Sequence, residues 1–219
     1  GYGGMMTLFV MFLLGALLGN ILVGALTFVS AEFATIYGTV ISYPVMFIPP
    51  WLYVSAKSRR NEFFETGYAL DSSHFGSLGG FSMAVIVSIA TMAMAFLADS
   101  LNVLMPEAPE WFEKAMEQIM DAPVWITLIS VSVFAPLFEE WLCRGLVLRG
   151  LLRKFNPASA IMVSAAFFAI LHMNPWQAIP AFLLGLLFGY VYYKTGSLKL
   201  TMLMHCVNNT LSVVVSRIP

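Results

Sequence analysis

Residues 122–144 read Ala-Pro-Val-Trp-Ile-Thr-Leu-Ile-Ser-Val-Ser-Val-Phe-Ala-Pro-Leu-Phe-Glu-Glu-Trp-Leu-Cys-Arg. A long uncharged run meets two adjacent carboxylates, Glu139 and Glu140, and a cation four residues further on, Arg144. The run does not alternate apolar and polar positions, as a barrel strand would. It is long enough for a membrane-spanning helix, which needs about 20 mostly apolar residues. Within it Pro136 has no N–H to donate to Ser132 and should kink the helix there. The rest of the chain agrees with lipid as the solvent. Of 219 residues 59% are hydrophobic and only 11% charged, with a net charge of −1. A soluble domain carries about 25% charged residues. The composition therefore excludes a soluble enzyme, a disordered segment and a nucleic-acid binder, which needs a basic excess. Cys143 and Cys206 sit in apolar runs and give no disulfide framework.

Working outward, seven runs qualify as spans: 5–29, 36–55, 79–98, 122–143, 157–173, 178–193 and 198–216. The fold expected is an all-α polytopic helical bundle. The first run is too long for a signal peptide and has neither a basic flank nor a small-residue cleavage site, so it reads as a retained span. Residues 1–121 form an accessory N-terminal part and 122–219 the catalytic part. Lys57, Arg59, Arg60, Arg144, Arg149, Arg153, Lys154, Lys194 and Lys199 fall on one side, Lys114 and Arg217 on the other. The positive-inside rule puts the larger set, and the N-terminus, in the cytoplasm, of the plasma membrane by expectation. Segment 61–78 reads as a polar cytoplasmic loop. Segment 99–121 is acidic on the outer side. Its Trp111, Phe112, Ala115, Met116 and Ile119 share one face, as in a short interfacial helix or a solvated connector.

Ionisable groups inside a span cost about 2.5–3.5 kcal/mol each, so they mark function by default. Here they cluster in three places. In the first, Glu140 and Arg144 are i,i+4 and can pair, which leaves Glu139, about 100° around the helix, free to face a cavity. In the second, Phe168 and His172 share a face at the end of the fifth span. In the third, His205 and Asn209 share a face inside the seventh. An ordinary charged helix end, an interfacial histidine and interhelical hydrogen-bond glue would account for each alone. Together, one Glu, two His and an Asn on three helices suit hydrolysis. A carboxylate can take a proton from water, an imidazole can assist, and a His and an Asn one turn apart can donate to an oxyanion.

The ordered set Glu139-Glu140…Arg144, Phe168…His172 and His205…Asn209, with Gly145 after the first motif and Thr195-Gly196-Ser197 before the third, resembles the CAAX protease and bacteriocin-processing (CPBP, or Abi) family of intramembrane endopeptidases. The resemblance covers about residues 122–213. It implies a glutamate-dependent protease with no metal or cofactor. Glu139 would be the general base, assisted by His172, and His205 with Asn209 the oxyanion site. Glu140 and Arg144 would be a supporting pair, and Phe168 would shape the cleft. Its partners would be the lipid bilayer and a membrane-associated protein or peptide, processed at a CAAX-type or a leader- or bacteriocin-type site. Three competing readings stand beside it. A zinc protease could use His172, His205 and a Glu, although no H-E-x-x-H helix exists. A thiol enzyme could use Cys143; Cys206 cannot meet the adjacent His205. A transporter or a non-catalytic scaffold or immunity protein is the third; a transporter is expected to carry a repeat, and none is visible. One expectation sits awkwardly. With the fourth span ending at 143, Glu139 lies near its cytoplasmic end, whereas His172 lies about 22 Å up an ascending helix at 1.5 Å per residue.

Overall fold

The computed structural model describes residues 2–58 and 70–218. Arg59, Arg60 and the part of the expected loop at 61–69 lie outside the described residues. The described chain is helical, without a strand among these residues. Helix α1 is Tyr2–Val29 and α2 is Ala31–Ser58. Helix α3 is Gly79–Ser100, α4 is Glu110–Asp121, and α5 runs unbroken over Val124–Leu151. Helix α6 is Pro157–Leu171, α7 is Pro175–Thr195 and α8 is Leu198–Val215. Six helices, α1, α2, α3, α5, α7 and α8, are long and apolar enough to cross a membrane, and α6 is a shorter apolar helix. The protein is an integral membrane protein with an all-α polytopic fold of about seven spans.

The helix starts follow from local chemistry. Asn156, Asn174 and Ser197 each cap a helix, their side-chain oxygens accepting the N–H of Ser159, Gln177 and Leu200. Pro157 and Pro175 follow two of these caps, where a missing N–H costs nothing. Between α6 and α7 the reversal is tight. Met173 takes a left-handed φ of 54°, and the Asn174 amide donates to the His172 carbonyl at 2.8 Å.

The expected end of the fourth span changes, and the change removes the awkward depth. Helix α5 does not stop at 143 but continues to Leu151. Glu139 is therefore mid-helix, about 18 Å from that end at 1.5 Å per residue. Helix α6 has only 15 residues, about 22 Å at the same rise, short of a bilayer core of about 30 Å. His172 at its end comes level with Glu139. The reason is chemical: Arg144 and Arg149 look like a helix exit, but both are buried inside α5. They drop out of the basic loop set. Among the described residues the asymmetry rests on Lys57, Arg153, Lys154, Lys194 and Lys199.

One end of the bundle is tied by segment 70–75. The Ser72 N–H donates to the Gly196 carbonyl at 2.8 Å and the His74 N–H to the Thr195 carbonyl at 2.7 Å. Asp71 accepts the Leu198 N–H at 2.8 Å and pairs with Lys199 at 3.3 Å. Partial burial raises the Asp71 pKa, but Lys199 and the Leu198 and Lys199 N–H groups outweigh it and hold the carboxyl below its ordinary value. At the other end the Arg217 guanidinium donates to the Met120 carbonyl at 2.5 Å and the Ala122 carbonyl at 3.0 Å. Between the ends, α1, α2, α5 and α6 share one apolar core, joined by Ala181 and Tyr192 of α7 and Leu198 of α8, and α3, α7 and α8 form another. Large exposed side chains such as Phe28, Phe81 and Phe96 face what lipid covers, where apolar exposure carries no penalty.

Candidate active site

The site is built on a disturbed stretch of α5. Residues Leu128–Phe134 and Trp141–Leu148 are π-helical, on either side of Ala135–Glu140. In the first stretch the Ala135 N–H bonds the Ser130 carbonyl, five residues back. The next bond of that ladder would run from residue 136 to the Val131 carbonyl. Residue 136 is proline and has no N–H. The carbonyl left over is thus that of Val131, one position from the Ser132 expected for an α-helix. Asn209 of α8 supplies the missing donor, its Nδ2 lying 2.5 Å from the Val131 oxygen. Asn208 donates to Asn209 Oδ1 at 3.0 Å and fixes the amide orientation. An amide has two N–H donors, so one remains on Asn209.

Glu140 and Arg144 form the pair that their spacing predicts, at 2.8 Å, with both side chains fully buried. The guanidinium also donates to the Gly185 carbonyl at 3.1 Å. This is possible because Gly185 lets α7 press on α6: a Cβ there would stand 3.1 Å from the Ala165 backbone. The rings of Phe168 and Phe188 face the Arg144 charge at 4.7 and 5.3 Å. Phe168 therefore holds the cation, and its edge contacts order His172 and His205, at ring separations of 5.1 and 5.5 Å.

His205 bridges the two adjacent glutamates. Its Nδ1 lies 3.0 Å from Glu140 Oε1 and its Nε2 lies 3.9 Å from Glu139 Oε2. Nδ1–H donates to the carboxylate, and Nε2 is directed toward the Glu139 side. The His172 Nδ1 lies 3.0 Å from the Phe168 carbonyl, which can only accept. That bond fixes the tautomer and leaves Nε2 as the basic nitrogen of the neutral ring. Glu139 Oε2 is buried and has no hydrogen-bond partner among the described residues. Its other oxygen accepts from the Tyr43 hydroxyl of α2.

Glu139, His172, His205 and Asn209 line one cavity of about 380 Å³. Met116, Ile119 and Met120 of α4 contribute to its wall. Helix α4 is the amphipathic segment seen in the sequence, and it is held by Phe112 against Trp176 at 5.3 Å. A second cavity of about 220 Å³ shares His172, His205 and Asn209 and continues between α6, α7 and α8. Among the described residues no three His, Cys, Asp or Glu side chains are grouped to hold a metal ion, so His172, His205 and a Glu share a cavity without forming a ligand set. Cys143 is fully buried and lines neither cavity.

Two features escaped the sequence. One is Tyr43, which lies in a span that seemed to offer only packing; the available signal was that a buried tyrosine hydroxyl needs a partner. The other is the Glu140–His205 bond, which joins α5 to α8 across 65 positions.

Residues 121–211 match a family model described as type II CAAX prenyl endopeptidase Rce1-like. This segment holds all seven residues of the three motifs, and the description of the model agrees with the CAAX protease family that the motifs resemble. The match indicates a peptidase, and with the spanning helices it fits a membrane-associated substrate. No curated protein and no solved structure gives a significant match to the chain.

Proposed function

We propose that the protein is an intramembrane endopeptidase in which Glu139 activates water against a peptide bond of a membrane-associated protein or peptide. The observation that carries this reading is the buried Glu139 Oε2, without a hydrogen-bond partner among the described residues, in a cavity shared with His172, His205 and Asn209. Glu139 takes a proton from water as the water oxygen bonds the carbonyl carbon, and His172 Nε2 shares that task. The oxyanion receives the free N–H of Asn209 and, from the doubly protonated ring, Nε2–H of His205. Collapse breaks the C–N bond, and the proton held by Glu139 passes to the leaving amine. Glu140 and Arg144 keep His205 in register.

A CAAX-type substrate with an isoprenyl chain suits the surroundings. An apolar groove of about 500 Å³ between α2 and α5 is lined by Phe47, Trp51, Phe138 and Trp141, next to the residues that flank Glu139. A peptide processed from a leader or a bacteriocin would have no use for that groove. By the basic side chains left at the loops, the cytoplasmic face carries segment 70–75 and the α7–α8 turn, and the start of α1 lies there too. The test is cleavage of a membrane peptide library, with and without prenylated cysteine, by purified wild type and Glu139→Ala. Products mapped by mass spectrometry should appear only with wild type and favour the prenylated members. Equal cleavage by both proteins overturns the mechanism, and indifference to the prenyl group overturns the substrate class.

A further inference from the structure

We infer that Tyr43 of α2 is a positioning residue for the Glu139 base, so that the N-terminal helices complete the catalytic site. This rests on the function proposed above. Tyr43 lies outside the segment that matches the peptidase family, yet its hydroxyl donates to Glu139 Oε1. The other carboxylate oxygen, Oε2, is then the one that turns toward His205 Nε2 at 3.9 Å. A carboxylate held at one oxygen has one free oxygen in a fixed direction. A carboxylate held at neither can rotate about its last bond and present either oxygen.

The position of the phenol is itself determined by packing. The Tyr43 ring stacks on Phe47, one turn on, at 5.9 Å and 29°. Phe47 stacks on Phe138 at 5.1 Å and 16°. Phe138 immediately precedes Glu139. Three rings thus register α2 on α5 at the base, and Phe47 is itself buried. Helix α1 packs on α2 beside this stack, Phe12 meeting Phe47 edge-on at 5.5 Å. Gly15 admits this, since a Cβ there would fall 2.0 Å from the Met46 carbonyl oxygen. The ionisable groups around Glu139 are then Tyr43 from α2, His172 from α6 and His205 from α8, which line the same cavity, with Cys143 one turn on along its own helix.

The experiment is steady-state cleavage of a quenched fluorescent peptide ending in a farnesylated cysteine and three apolar residues, in detergent micelles. Wild type is compared with Tyr43→Phe, Glu139→Gln and the double variant. Tyr43→Phe removes only the hydroxyl and keeps the ring stack. It should lower kcat at least tenfold and leave KM within about twofold. A site-specifically fluorinated tyrosine at position 43, which keeps ring and donor, should retain at least a third of wild-type kcat. Adding Tyr43→Phe to Glu139→Gln should lower the residual rate no further, because the tyrosine acts through the carboxylate. Wild-type kcat in Tyr43→Phe, with Glu139→Gln inactive, overturns this inference alone. An active Glu139→Gln overturns the function beneath it. If Tyr43→Phe does not fold, the fluorinated protein decides: a tenfold or larger loss of kcat with the donor retained refutes the positioning role.

Discussion

Replacing Arg144 with methionine should destabilise the protein strongly and leave a definite trace of why. The side chain is fully buried, and one guanidinium serves three sets of partners. It pairs with Glu140 at 2.8 Å, donates to the Gly185 carbonyl at 3.1 Å, and lies against Phe168 and Phe188. Breaking a buried pair by removing one partner costs about 3–5 kcal/mol, because the other charge stays buried. The ring contacts add up to about 2 kcal/mol, but they belong to the same group and do not simply sum. A loss of about 4 kcal/mol lowers Tm by about 8–16 °C in a chain of this size. Thermal unfolding in detergent, followed by circular dichroism, reads this directly. The companion is Glu140→Leu with Arg144→Met, which removes both charges. Such replacements are often neutral, so at least half of the lost Tm should return. Activity should not return, since His205 Nδ1 has lost its acceptor. A Tm within 2 °C of wild type for Arg144→Met refutes the buried pair. Recovered activity in the double variant refutes its link to His205.

Two other substitutions separate stability from turnover. Pro136→Ala supplies an N–H to the Val131 carbonyl and competes with Asn209, so kcat should fall about tenfold, less than the ~10²–10³ of a fully lost oxyanion donor. Tm should hold or rise, since an interior proline costs a helix about 3 kcal/mol; unchanged kcat would detach Asn209 from the reaction. Asp71→Asn should lower Tm by a few degrees at pH 7. Because the folded carboxyl titrates below its ordinary value, its contribution is present above an unfolded pKa of about 3.9 and is lost as pH falls through the folded value. Melting curves of the two proteins should therefore begin to draw together as pH falls below about 4 and coincide once it is below the folded value, and a gap that does not narrow over that range refutes the ion-pair account.

The fold was legible because lipid imposes one simple demand, long uncharged helices, and the runs around 5–29, 79–98 and 122–143 meet it without reference to partners. The pairing of Glu140 with Arg144 was legible for a similar reason, as i,i+4 spacing is a property of one helix. The end of α5 was not. Arg144 and Arg149 are charged, and composition cannot distinguish a cation at a helix exit from one buried against a carboxylate and two rings. That ambiguity shortened α5 and misplaced Glu139 in depth. The π-helical register was also hidden, and with it the reason that Asn209 meets Val131. Tyr43 was the hardest to see: nothing in α2 marks it apart from other aromatic residues, and only the packing of Phe47 on Phe138 carries it to the base.

The central claim, that Glu139 is the base, is tested most directly by Glu139→Gln. Glutamine keeps the shape of the side chain but cannot accept a proton from water at neutral pH. General-base catalysis contributes ~10²–10⁴-fold. Turnover of the farnesylated peptide should fall by at least 10², with Tm and substrate binding held, and with a bound-metal content that matches wild type. Turnover within tenfold of wild type would remove Glu139 from the reaction. Lost turnover with a parallel loss of bound metal would make Glu139 a ligand instead of a base.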